Sequence, residues 1–136
     1  MQISEFSAKE LSDLIYTMLS EIKDDGTNKT DVVLQTPTVN SKFPCRVINV
    51  PLEQVTKTDN AVPITKRFQV TIEHWGKLQR EVMEMGKRSD NVLRGINLIR
   101  TTTMQVMFDE VTKKYRLIAT YELTYYGVNN SFEVIR

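Results

Sequence analysis

Cysteine, histidine and tryptophan each occur once, as Cys45, His74 and Trp75, in a chain of 136 residues. A single thiol excludes an internal disulfide and any cysteine-cluster metal site. A single imidazole leaves no histidine ligand pair, so no metal or other cofactor is expected. Charge of either sign is not in excess: 18 basic residues against 17 acidic ones leave a formal net charge of +1. Binding that works through phosphate neutralisation normally needs a clear basic surplus, so direct nucleic-acid binding is not expected. Long apolar runs are missing too. The opening MQISEFSAKELSDLIYTML carries Glu5 and Glu10 inside its apolar residues, which fits neither a signal peptide nor a membrane span. A soluble chain of one domain, made in a reducing cytoplasm, is the expectation.

What is present is enough apolar material for one core, 40% of residues, with 26% charged. Ser7-Ala8-Lys9-Glu10 has the capping-box pattern of a helix start. Leu11, Leu14, Ile15, Met18, Leu19 and Ile22 then recur at three- and four-residue steps, predicting a helix over 7–23. Two short strands are expected within 31–50, around Asp31-Val32-Val33-Leu34-Gln35 and from Phe43 to Val50. Pro44 has no amide hydrogen, so the second should begin there or lie at a sheet edge. The stretch 51–63 is polar and reads as a long loop. Phe68, Val70 and Ile72 alternate with Arg67, Gln69, Thr71 and Glu73, the period of a strand over 64–75. From Gly76 the period lengthens through Leu78, Val82, Met85, Ser89, Val92 and Ile96, predicting a helix over 76–98. A hairpin over 101–126 turns at Asp109–Lys114, and a tail occupies 127–136. The order α-β-β-β-α-β-β predicts an α+β fold: a mostly antiparallel sheet of four to five strands with two helices packed on one face.

Chemistry-bearing patterns are sparse. FQVTIEHWG places the only histidine beside the only tryptophan, but the linear sequence offers His74 no partnered nucleophile and no glycine-rich elbow around a serine. His74 is therefore expected to pack inward, and Trp75 to seal the corner between strand and helix. Glu73, Glu81 and Glu84 form a possible carboxylate group. Glu81 and Glu84 are interleaved with Lys77, Arg80, Lys87 and Arg88, as on a solvated helix face. Met83 and Met85 should divide between core and surface. Tyr121, Tyr125 and Tyr126 could form a stacking platform for bases, although such alternation more commonly faces a core. No catalytic, cofactor-binding or metal-binding residue is expected, and no enzyme activity.

The order and texture of FQVTIEHWG, then KLQREVMEMGKRSDNVLRGI, then MQVMFDEVTKKYRLIATYELTYY resemble the tail terminator (tail completion) proteins of long-tailed bacteriophages and phage-tail-like particles. The helix at 7–23 and the proline-bounded strand at 43–50 also fall where that family places them. The likeness rests on element order rather than on a signature motif. The loop 52–63 and the tail after Gly127 depart from it.

The resemblance implies a structural virion protein at the head-proximal end of the tail. Such a protein forms a ring of its own copies, commonly a hexamer, that caps the completed tail tube, stops polymerisation and joins the head connector or adaptor. A sheath protein would be a further partner in a contractile tail. A head-completion or connector adaptor ring is the alternative reading, and a nucleic-acid-binding module using the tyrosine strand is a more remote one. Within this frame Gln54, Thr56, Lys57, Thr58, Asp59 and Asn60, with Phe132, Val134 and Ile135, are expected at neighbour contacts. The turn carrying Asp109, Glu110, Lys113 and Lys114 is expected to project toward tube or connector.

Overall fold

A computed structural model describes residues 7–24, 26, 29–49, 51–59, 62–126 and 131–133. For 56–59, 62–64, 126 and 131–133 it describes the backbone alone. Helix α1 (Ala8–Ser20) starts as its sequence requires, with the Ser7 amide donating to the Glu10 carboxylate at 2.9 Å. Leu11, Ile15 and Leu19 form its fully buried line, and Leu14 and Met18 flank it half-buried. Helix α2 (Gln79–Arg94) is shorter than the periodicity suggests. Gly76 still belongs to the preceding strand, and the Lys77 amide donates to Glu81 at 2.9 Å as the chain turns into the helix. At the far end Asn97 takes φ 63°, while the Leu98 and Asn97 amides donate to the Leu93 and Arg94 carbonyls. That closure needs a left-handed residue, and asparagine supplies it here in place of glycine.

Among the described residues eight strands form one mixed sheet: β1 (Asp31–Val33), β2 (Cys45–Ile48), β3 (Leu52–Asp59), β4 (Val62–Gly76), β5 (Ile99–Arg100), β6 (Gln105–Asp109), β7 (Lys114–Tyr126) and β8 (Ser131–Glu133). The class is α+β, with more strands than the sequence predicts. The excess has a simple source. Two long antiparallel strands, β4 and β7, pair from Thr65–Tyr126 to Gly76–Tyr115. Short strands share their outer edges: β2 and β3 both line β4, while β6, β5 and β8 line β7 in succession. Only β1 with β2 is parallel among the described pairs. Strand β2 begins one residue after Pro44 and lies between β1 and β4, so the proline marks its start and not an edge.

The stretch 51–63 is not a loop. It holds β3 and the first residues of β4, and Leu52 to Asp59 pair with Gln69 back to Val62. Irregularities between Val55 and Lys57 and between Lys57 and Thr58 interrupt its two-residue period. An exposed edge strand broken by bulges reads in sequence as polar and aperiodic. The tail likewise contains β8, in which Phe132 pairs with Tyr125.

One face of the sheet carries the main core. Phe68, Val70 and Ile72 of β4 join Leu117, Ala119, Tyr121, Leu123 and Tyr125 of β7 beneath the helices. Each large apolar side chain so buried contributes about 1.5–3 kcal/mol. Helix α2 lies over β4 and β7, and α1 packs against α2, β1 and β2. Gly86 permits this approach, because a Cβ there would sit 3.3 Å from both Leu117 Cδ2 and Met104 Sδ. Trp75 points to the opposite face. It packs with Cys45, Val47, Val33 and Phe43 in a separate small cluster, so the corner-sealing role expected of it is wrong. Alternation along β4 decides this: His74 faces the helices, and its neighbour must face away.

Candidate functional site

Beneath α2 the apolar core is interrupted by a connected polar cluster. Arg46 of β2 and His74 of β4 are cross-strand partners, and both are completely buried. Ser89 replaces an apolar residue on the inward line of α2 and is buried as well. The hydrogen bonds fix its proton arrangement. His74 Nδ1 lies 3.2 Å from the Leu117 carbonyl, which can only accept, so Nδ1 carries the proton. Nε2 then accepts from the Ser89 hydroxyl at 2.9 Å, and the Ser89 oxygen accepts from Arg46 Nε at 2.8 Å.

The Arg46 fork completes the cluster. Its terminal nitrogens bond both oxygens of Asp24, at 2.6 and 3.0 Å, and one also reaches the Met85 carbonyl at 3.0 Å. Arg88 adds a second cation to Asp24 at 3.1 Å. Burial works against ionisation of Asp24, but the two arginines and Thr30 outweigh it and hold the carboxyl below its usual range. Burial and the neighbouring Arg46 charge both lower His74, to about 3. Histidine is therefore neutral at any ordinary pH.

A serine hydroxyl 2.9 Å from an imidazole has the spacing of a nucleophile and its base. Here it lacks the rest. Neither group has exposed surface, the serine oxygen is occupied by Arg46, and the histidine is oriented by a backbone carbonyl. The arrangement ties β2, β4, β7, α2 and the segment after α1 together. Sequence reasoning found no partner for His74; the structure supplies Ser89. The signal available was a hydroxyl residue on an apolar helical line, together with an arginine flanked by Cys45 and Val47 in a strand.

Other candidates separate. Glu73 lies on the Trp75 face, where it accepts from Trp75 Nε1 at 3.3 Å and Asn49 Nδ2 at 3.1 Å. It is thus apart from Glu81, which serves the helix start, and Glu84, which pairs loosely with Lys87. Among the described residues no group of three or more histidine, cysteine or carboxylate residues could hold a metal. Tyr121 and Tyr125 are buried and offer no stacking surface; the Tyr121 hydroxyl donates to Asp90, which also binds Arg100 at 3.0 Å. Met85 is buried and Met83 is half-buried against the core.

The expected contact residues fall at opposite ends of the long strands. Gln54 is exposed on β3, and Thr56 to Asp59 continue that strand. Phe132 lies in β8 at the same end, on the other edge of the sheet. Asn60, Val134 and Ile135 lie outside the described residues. The turn lies at the far end. Asp109 accepts from the Thr112 amide and hydroxyl, both at 2.8 Å; Glu110 and Lys113 pair at 3.0 Å on the surface; Lys114 sits over the Phe43 ring.

Exposed apolar side chains include Leu52 and Val55 on β3 and Met107, Phe108 and Val111 at the β6–β7 hairpin, with Tyr16 on α1 and Leu34, Val39 and Leu78 elsewhere on the surface. A cleft of about 530 Å³ opens beside β1 and the start of α2, between Lys29, Lys42, Arg80 and Leu78, with Asp24 and Met85 among its walls. No helix among the described residues is long and apolar enough to cross a membrane. Neither family models nor curated proteins give a match to the chain.

Proposed function

We propose that this chain is a non-enzymatic assembly subunit, a tail terminator that forms a ring on the end of a completed phage-type tail tube. The observation that carries the reading is where the polar and apolar groups lie. The His74–Ser89 pair and Arg46 are sealed inside as fold-holding contacts, while Leu52 and Val55 on β3 and Met107, Phe108 and Val111 at the hairpin stand exposed. Leu52 is 68% exposed and Val111 is 75% exposed, and exposed side chains of this kind suit protein contacts. The similarity of element order described above supplies the particular assembly. In this reading the ring stops tube growth and offers its other side to a head connector.

The test is imaging. Pre-formed tail tubes mixed with the protein should carry a cap at one end only and should stop elongating when tube subunits are added. Decoration along the tube sides, or no binding, would contradict the proposal.

A further inference from the structure

We infer that neighbouring copies join head to tail, the β6–β7 turn of one copy seated in the cleft beside β1 of the next. This rests on the ring reading above and names its contact. The register of the sheet brings the two surfaces into line. Asp31, Cys45, Trp75, Arg116 and Met107 form one transverse row across β1, β2, β4, β7 and β6. Asp31 and Met107 therefore mark opposite margins at one height. Strand β1 is parallel to β2, and the three following pairings are antiparallel, so β1 and β6 run in opposite directions. Rotation about an axis along the strands preserves direction, and it sets β6 of one copy antiparallel to β1 of its neighbour. Among the described residues each of these strands is paired on one side only.

The opposed directions also decide which side chains meet. Lys29 precedes Asp31 by two positions and Asp109 follows Met107 by two, so both lie on the same side of the row. Acidic Asp109 and Glu110 thereby come level with Lys29 and Lys42 at the cleft rim, and Lys42 is 80% exposed. Between them Val111 projects from the turn, opposite Leu78 and Met85 in the cleft. The apolar tip, flanked by Glu110 and Thr112, meets Pro44 and Leu78 in a cleft whose walls mix Lys29, Lys42 and Arg80 with Asp31, Glu81 and Glu84. The two surfaces differ, so the contact is heterologous and propagates around a ring. It gives the turn to a neighbouring copy and not to the tube.

Disulfide trapping tests this. The double variant Leu78→Cys/Val111→Cys and each single variant are oxidised at high concentration, with and without pre-formed tail tubes. The double variant should give a ladder of dimers and larger species whose peptide maps show 78–111 links, and each single variant should stay monomeric. Dimers from a single variant, or no ladder in either condition, would overturn the inference. A ladder without tube capping sinks the terminator reading and leaves this contact standing. Capping without a ladder does the reverse.

Discussion

Nε2 of His74 accepts a hydrogen bond from Ser89 across 2.9 Å, and the same serine oxygen accepts from Arg46. One hydroxyl thus satisfies a buried acceptor and a buried donor on two different strands. Ser89→Ala removes both partners at once without altering helix propensity unfavourably. Each orphaned group costs about 1–3 kcal/mol, so urea unfolding should show a loss of about 2–6 kcal/mol. A loss below about 0.5 kcal/mol would mean that the cluster does not hold the fold.

Acid should weaken the protein in two stages. His74 has a folded pKa of about 3 against 6.5 in the unfolded chain. Below pH 6.5 the unfolded chain takes up a proton that the folded one refuses, so stability falls from there toward about pH 3. Asp24 is held below 3.8 in the fold, and its contribution, present above that value, is lost as pH falls through its folded pKa. His74→Gln should abolish the first stage and leave the second. Equal pH dependence in the variant and the parent chain would contradict this assignment.

Cys45 is buried between β1 and β4, and burial, with Asp31 and Glu73 nearby, raises its thiol to about 11. The thiolate is the reactive form. Under native conditions at pH 8 the thiol should resist an aromatic disulfide reagent, and it should react at once in denaturant. Rapid native labelling would show that the Trp75 cluster opens.

Gly86 costs α2 about 1 kcal/mol relative to alanine, yet it sits where the helix meets Leu117 and Met104. A larger residue must push the helix off the sheet. Gly86→Leu should cost about 1–3 kcal/mol by overpacking, measured as a lowered urea midpoint; an unchanged midpoint would show that the contact is loose.

The strongly periodic elements were legible because their periods report which face is buried. Leu11 to Leu19 gave α1, and Phe68 to Ile72 gave β4. Strand β3 was not legible, since Leu52 to Val55 are exposed and its bulges break the alternation. The direction of Trp75 was misread because a strand's second face also needs covering, here by Phe43 and Val33. The Arg46–Ser89–His74 cluster was hidden for another reason. Its members lie 28 and 15 residues from His74 in the chain, and only the fold brings them together.

The central claim is that the only histidine is a neutral packing group. Nitrogen-15 NMR of the imidazole tests it most directly. The account predicts a single Nδ1-protonated tautomer whose shifts do not change between pH 8 and pH 5. A titration with its midpoint near pH 6.5, or an Nε2-protonated ring, would contradict it.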